Sequence, residues 1–206
     1  RVVRMLPIHR ALNVALGLEN VPAAWNALGG QQNAGKGIRI GIIDTGIDVL
    51  HPAFQDSSLQ PPANYPPSSG VNEDNWPGYT NGKIIVARSY VPELVDFGHP
   101  DTSRPDDLSP EDHVGHGTAA AMIAAGETVN APLATITGVA PKAYLGNYKI
   151  FGSPGVNDIT FPDVLFNALE DAITDGMDVV SVSLAMPAIW APADSGAVCG
   201  ADRGIA

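Results

Sequence analysis

Asp44 lies at a position in the sequence that favours catalytic chemistry. It ends a run rich in isoleucine, residues 38–43, and Thr45 and Gly46 follow it. A nearly continuous run of β-branched residues favours a strand buried on both faces of a parallel sheet. Functional groups in open α/β sheets lie at the carboxyl ends of the strands. Asp44 is therefore predicted to be either a catalytic carboxylate or a residue that caps a turn.

His116 is the second candidate for chemistry. It lies between Gly115 and Gly117, directly before the small residues of 119–125, which form a helix that Gly126 ends. Glycines permit close approach of the backbone. An imidazole held there by a carboxylate can act as the general base for a nucleophile. The alternative is a histidine that only satisfies backbone groups at the helix end.

Ser183 and Leu184 close a strand predicted over residues 177–184. A strand end with free backbone groups can pair with an extended peptide. These two residues are therefore candidates for substrate binding, with an ordinary strand end as the alternative.

The segments between these candidates predict an α/β fold. Strands are predicted at residues 40–44, 83–90, 143–151 and 177–184, and helices at residues 21–28, 119–125 and 161–174. Strands and helices that alternate in this way indicate right-handed βαβ units. We therefore expect three layers, with a mainly parallel sheet flanked by helices on both faces. Residues 57–82 and 92–112 are predicted to be loops, in a surface excursion that holds one strand.

Composition excludes several classes of partner. The chain has 206 residues, of which 45% are hydrophobic and 16% charged, with a net charge of −11. This acidity argues against nucleic acid and anionic membranes as partners. The sequence has no apolar run of the length of a membrane span. Cys199 is the only cysteine, which excludes a disulfide within the chain.

Four segments together resemble the subtilisin-like serine peptidase family. They are IGIIDTGID, GHGT, GVAPKAYLGNYKIF and DGMDVVSVSL, and they occur in the order found in that family. The resemblance extends over about residues 37–185 and implies an incomplete subtilisin-like fold. It also implies a serine endopeptidase that hydrolyses peptide bonds with an Asp-His-Ser triad, in which Asp44 is the carboxylate and His116 the base.

The resemblance also implies a cleft for a peptide or protein substrate. Ser183, Leu184 and Ala185 would line one side of the cleft, and Phe151 and Gly152 would form the other side. Membership of the family implies a protein that acts outside the cell or at its surface.

Two parts of the family pattern are absent from these residues. No Gly-Thr-Ser motif for the nucleophile and no Ala-Gly-Asn stretch for the oxyanion occurs. The chain is therefore expected to be inactive alone and to be part of a longer peptidase. Residues 21–206 are predicted to be the N-terminal part of the peptidase domain, with an insert at about 55–112, and residues 1–20 the end of a propeptide and a linker. The chain is expected to associate with its missing C-terminal part or with another copy.

No cofactor is assigned with certainty, but calcium is a candidate. Ala53 stands where many relatives carry an acidic calcium ligand after a His-Pro pair, so that site is not expected. The acidic pairs at residues 73–74, 106–107 and 111–112 could bind calcium elsewhere. A solvated acidic loop is the alternative.

Three other functions remain open. The Asp-Thr-Gly sequence also occurs in aspartic peptidases, which use two carboxylates. His113 and His116, with Glu111 and Asp112 beside them, have a spacing that could bind zinc. The absence of a nucleophile motif is also compatible with a degenerate peptide-binding or regulatory domain.

Overall fold

The computed structural model describes residues 12–185, so the first part of the segment predicted to be the end of a propeptide and a linker, residues 1–11, lies outside them. The strands are β1 (Arg39–Asp44), β2 (Ile84–Ser89), β3 (Val129–Asn130), β4 (Thr135–Ile136), β5 (Tyr144–Lys149) and β6 (Val179–Val182). Four of them form a sheet in the order β2-β5-β1-β6, and each neighbouring pair is parallel. The predicted parallel sheet is therefore confirmed.

Helices cover both faces of this sheet. They are α1 (Leu12–Leu18), α2 (Val21–Ala27), α3 (Val91–Asp96), α4 (His116–Ala125) and α5 (Pro162–Thr174). One apolar cluster joins α5 to the face of the sheet that carries Ile43 and Tyr148. A second cluster joins α4 to the opposite face, which carries Ile42 and Leu145. The three-layer α/β architecture is confirmed.

The segment between β1 and α4 is more ordered than the sequence predicted. The prediction of a loop from residue 92 is wrong for α3, which begins at Val91 and has Pro92 in its first turn, where proline is tolerated. Val91 and Leu94 are buried in the core and stabilise this short helix. All six residues of β2 are also buried, so this strand is not part of a surface excursion. The β3–β4 hairpin was not predicted.

A buried ion pair attaches this segment to the sheet and to the end of α5. The guanidinium of Arg88 on β2 donates to both carboxylate oxygens of Asp175, at 2.9 and 2.6 Å. Tyr148 donates to the same carboxylate at 2.8 Å. Asp171 accepts hydrogen bonds from the backbone N–H groups of residues 71–73 and from the hydroxyl of Tyr90. The buried charges of Arg88, Asp171 and Asp175 therefore all have hydrogen-bonding partners.

Strand β6 is an edge of the four-stranded sheet. Its apolar residues Val179 and Val182 are 46% and 39% exposed. Within residues 12–185, no helix is both long enough and apolar enough to cross a membrane.

Candidate active site

Strand β1 and helix α4 bring Asp44 and His116 into contact across 72 positions of sequence. Asp44 is the last residue of β1, and His116 is the first residue of α4. The Nδ1 atom of His116 lies 2.7 Å from Oδ1 of Asp44. The carboxylate is 3% exposed and the imidazole is 54% exposed. A buried acceptor thus holds an imidazole that solvent and a ligand can reach.

This contact fixes the chemistry that the imidazole can perform. A carboxylate accepts but does not donate, so Nδ1 carries the proton in this pair. Oδ1 of Asp44 also accepts the N–H of Thr45 at 2.7 Å, which holds the carboxylate in place. The Nε2 atom of His116 is then the ring nitrogen that can accept a proton from a nucleophile.

Glycines allow the two elements to approach so closely. A Cβ atom at Gly117 would lie 2.1 Å from the carbonyl oxygen of Gly46. Gly46 itself has φ +109°, and a Cβ there would lie 2.6 Å from the carbonyl oxygen of Pro110. A side chain at either position would push the start of α4 away from the end of β1.

Asp112 connects the backbone around both candidate residues. Its Oδ1 atom accepts from the hydroxyl of Thr45 at 2.9 Å and from the N–H groups of Val114 and Gly115 at 2.9 and 2.8 Å. Its Oδ2 atom accepts from the N–H and the hydroxyl of Thr118 at 2.9 and 2.6 Å. Burial alone would raise the pKa of Asp112, but the hydrogen bonds from Thr118, Gly115 and Val114 outweigh it and lower that pKa.

Asp44 and His116 lie in a cleft of about 400 Å³. All seven residues predicted from the sequence line it: Asp44, His116, Phe151, Gly152, Ser183, Leu184 and Ala185. Four further residues complete the lining: Thr45, Val114, Pro154 and Asp158. The structure therefore brings together the predicted site residues, at the carboxyl ends of the parallel strands.

The loop after β5 lines this cleft, and hydrogen bonds with side chains of residues 104 and 106 hold it in place. Oδ2 of Asp106 accepts from the N–H of Ser153 at 2.8 Å and from the side chain of Asn157 at 3.1 Å. The guanidinium of Arg104 donates to the carbonyl of Gly155 at 3.0 Å. A Cβ at Gly152 would lie 2.2 Å from Oδ2 of Asp106, so only glycine fits under this contact.

The two histidines of the proposed zinc site bind different carboxylates. Nε2 of His113 lies 2.6 Å from Asp107, whereas His116 binds Asp44. Over residues 12–185, no group of three or more His, Cys, Asp or Glu side chains is arranged to hold a metal ion. Of the acidic pairs considered for calcium, Asp106, Asp107 and Asp112 accept hydrogen bonds from protein groups.

Sequence reasoning missed two side chains behind this site. Asp112 was considered only as a candidate metal ligand, although it binds five donors around Thr45 and α4. Lys149, the last residue of β5, is fully buried and donates to backbone carbonyls beside the site. A lysine next to the apolar pair Ile150 and Phe151 was the signal that could have indicated its burial.

Comparison with known proteins agrees with this geometry. The sequence profile of the Subtilase family (Peptidase_S8) matches residues 35–202. The chain is 35% identical over 175 residues to Subtilisin-like protease SBT2.1 of Arabidopsis thaliana, covering 78% of this chain and 20% of that protein. It is 32% identical over 173 residues to Subtilisin-like protease SBT3.12 of the same plant, covering 80% and 23%. The chain therefore spans about a fifth of the length of these curated relatives.

Among solved structures, the sequence identity is lower than for these plant relatives. The MycP3 protease from the type VII (ESX-3) secretion system aligns with 93% of this chain and 41% of its own chain, at 22% identity and a TM-score of 0.46. The match to the family profile, over residues 35–202, is by itself more than half of the 206 residues. The parallel sheet and the pairing of Asp44 with a histidine also differ from an aspartic peptidase, which uses a carboxylate pair. This chain belongs to the subtilase family.

Proposed function

We propose that this chain supplies the aspartate and the histidine of a serine endopeptidase. The observation that carries the proposal is the 2.7 Å contact between the buried carboxylate of Asp44 and the exposed imidazole of His116, inside a cleft. In an Asp-His-Ser triad the carboxylate holds the imidazole in one tautomer and stabilises the imidazolium that forms during the reaction. The burial of Asp44 and its contact with the imidazole suit that role.

The nucleophile is proposed to come from a part of the protein outside these 206 residues, since no Gly-Thr-Ser motif occurs among them. His116 would accept the proton of the serine hydroxyl through Nε2 as the serine attacks the carbonyl carbon of the substrate. The same nitrogen would then donate that proton to the leaving amine. The imidazole lines the cleft and is 54% exposed, which leaves it accessible to such groups.

The substrate is proposed to be an extended stretch of polypeptide. Phe151 and Gly152 follow β5, and Ser183, Leu184 and Ala185 follow β6. These two strands flank β1, and all five residues line the cleft. Backbone groups at strand ends can pair with an extended chain, while side-chain pockets give preference. Phe151 and Leu184 are apolar and favour an apolar substrate side chain. Action outside the cell stays a prediction from the family.

A test uses the full-length protein with a protein substrate and a serine-directed fluorophosphonate probe. We expect hydrolysis and covalent labelling, and we expect His116→Ala to abolish both. His113→Ala is the matched control, because His113 lies three positions away but binds Asp107 outside the Asp44 pair. Full activity of His116→Ala would refute the proposal. Peptide binding without hydrolysis or labelling in the unmodified protein would instead favour a degenerate binding domain.

A further inference from the structure

Lys149 is a buried lysine whose ammonium group donates hydrogen bonds to backbone carbonyl groups. Its side chain is 0% exposed, and Nζ donates to the carbonyl of Thr45 at 2.9 Å and to that of Glu111 at 2.5 Å. Within residues 12–185, no carboxylate forms an ion pair with it. Burial lowers the pKa of Lys149, against the opposing effect of Asp112 and other nearby carboxylates. A lysine placed in this way is costly unless both hydrogen bonds form.

The two carbonyls belong to the two backbone segments that hold the candidate catalytic pair. Thr45 directly follows Asp44 at the end of β1. Glu111 directly precedes Asp112, whose carboxylate binds the hydroxyl of Thr45 and the first N–H groups around α4. A single ammonium group therefore joins the turn that presents Asp44 to the loop that leads into His116.

A second residue of β5 holds the same loop. Asn147 lies two residues before Lys149, and its side-chain amide donates to the carbonyl of Pro110 at 2.9 Å. Gly46 packs against this loop so closely that a Cβ there would lie 2.9 Å from the carbonyl oxygen of Glu111. The loop thus rests on β5 and on the turn after β1. The ammonium of Lys149 contacts both segments, as does the carboxylate of Asp112, which binds the hydroxyl of Thr45.

We propose that Lys149 is a positioning residue that sets the contact between Asp44 and His116. The proposal rests on the proposed function of that pair, although its test does not require activity. Its ammonium fixes the spacing between the turn at Thr45 and the loop at Glu111. Without it, the carbonyls of Thr45 and Glu111 lose this donor and the two segments can separate. The hydrogen bond between the carboxylate and the imidazole then loosens, although neither partner is changed.

The chain contains a matched control for this lysine. Lys83 is also 0% exposed, and its Nζ also donates to two backbone carbonyls, those of Pro141 and Ala143, at 2.6 and 3.0 Å. Those carbonyls lie in the residues just before β5, whereas Lys149 ends that strand. Lys83 differs in that its Nζ also lies 3.8 Å from Oε1 of Glu127. Lys83→Met and Lys149→Met each remove two hydrogen bonds from a buried ammonium to backbone carbonyls, at opposite ends of the sheet.

The experiment follows the proton on Nδ1 of His116 by NMR in the full-length protein labelled with nitrogen-15 at histidine. His116→Ala assigns the signal. We expect Lys149→Met to speed exchange of this proton with water by about tenfold or more, the effect of losing one charge-assisted hydrogen bond. Lys83→Met should lower stability to a similar degree and leave the exchange rate within about twofold. Equal acceleration in both variants, or none in Lys149→Met, would overturn the proposal.

Two further measurements keep the test decisive. If Lys149→Met does not fold, Lys149→Gln takes its place, since its amide is uncharged and can replace at most part of the contact. In peptide hydrolysis we expect kcat to fall by about 10- to 100-fold with KM nearly unchanged, because a displacement of about 1 Å has effects of that order. A fall of kcat that Lys83→Met reproduces would contradict the proposal. An inactive unmodified protein would refute the proposed function and leave the NMR comparison valid.

Discussion

Replacing Asp112 by asparagine changes one atom beside the candidate site and tests the role of this carboxylate. In Asp112→Asn the oxygen can remain on the three donors that Oδ1 binds now, Thr45, Val114 and Gly115. The new amide group then faces the N–H of Thr118, which can only donate, and the hydroxyl of Thr118, which can turn to accept from the amide. The hydrogen bond from this N–H to a charged acceptor is lost, which costs about 1.5–3 kcal/mol, and the hydrogen bond with the hydroxyl becomes neutral, which costs about 1 kcal/mol more.

Together these two effects predict a loss of about 2–4 kcal/mol in the free energy of unfolding. Urea unfolding followed by tryptophan fluorescence measures this loss. Asp101→Asn is the control, since the side chain of Asp101 is 67% exposed in the same loop. It should cost less than about 0.5 kcal/mol. A cost below about 1 kcal/mol for Asp112→Asn would refute the reasoning.

The effect of Asp112 also has a defined dependence on pH. Its folded pKa lies below the ordinary value, because the hydrogen bonds outweigh burial. Its contribution to stability is therefore present above the ordinary pKa of about 3.9 and is lost as the pH falls through the folded pKa. The difference in stability between the unmodified protein and Asp112→Asn should narrow as the pH falls below about 4. A difference that widens in acid would contradict this account.

Three further changes have expected outcomes that follow from particular contacts. Gly117→Ala places a Cβ 2.1 Å from the carbonyl oxygen of Gly46, so it should cost about 2–3 kcal/mol in urea unfolding and reduce peptide hydrolysis. Arg88→Met leaves the carboxylate of Asp175 buried without its cation, so it should cost about 3–5 kcal/mol in the same assay. Burial, together with neighbouring carboxylates, raises the pKa of Glu73 from 4.5 to about 7. Its stabilising effect is therefore lost as the pH rises from about 4.5 to about 7, and Glu73→Gln should flatten that part of the stability profile.

Each of these outcomes has a control or a contradicting result. Gly78→Ala is the control for Gly117→Ala, because no atom lies within 4 Å of a Cβ placed at Gly78. Equal costs for the two would show that close approach is not the cause. A cost below about 1 kcal/mol for Arg88→Met would mean that the ion pair is not needed. If the stability of Glu73→Gln depends on pH in the same way as that of the unmodified protein, another group causes this dependence.

The sequence allowed Asp44 and His116 to be predicted because local signals place each of them. An apolar run ends at Asp44, and a glycine pair with a small-residue helix marks His116. Parallel strands then require that the residues at their carboxyl ends share one edge of the sheet. Phe151 and Leu184 reach the same cleft for that reason.

The supporting residues could not be predicted in the same way. Lys149 and Asp112 act through carbonyl and N–H groups of loops that are distant in sequence. The hydrophobic periodicity of the sequence does not predict which loop carbonyl lies next to which strand. Helix α3 was missed for a related reason, since Pro92 indicates a break locally, whereas burial of Val91 and Leu94 decides the outcome.

The central claim, that Asp44 and His116 act as one catalytic unit, is tested most directly by a double-mutant cycle. The measurement is kcat/KM for peptide hydrolysis by the full-length protein with Asp44→Asn, His116→Ala and both changes. We predict a loss of about 10³-fold or more for His116→Ala and almost no further loss in the double variant, because residues that act as a unit are not additive. Losses that multiply would contradict the claim, since they would mean that the two side chains contribute independently.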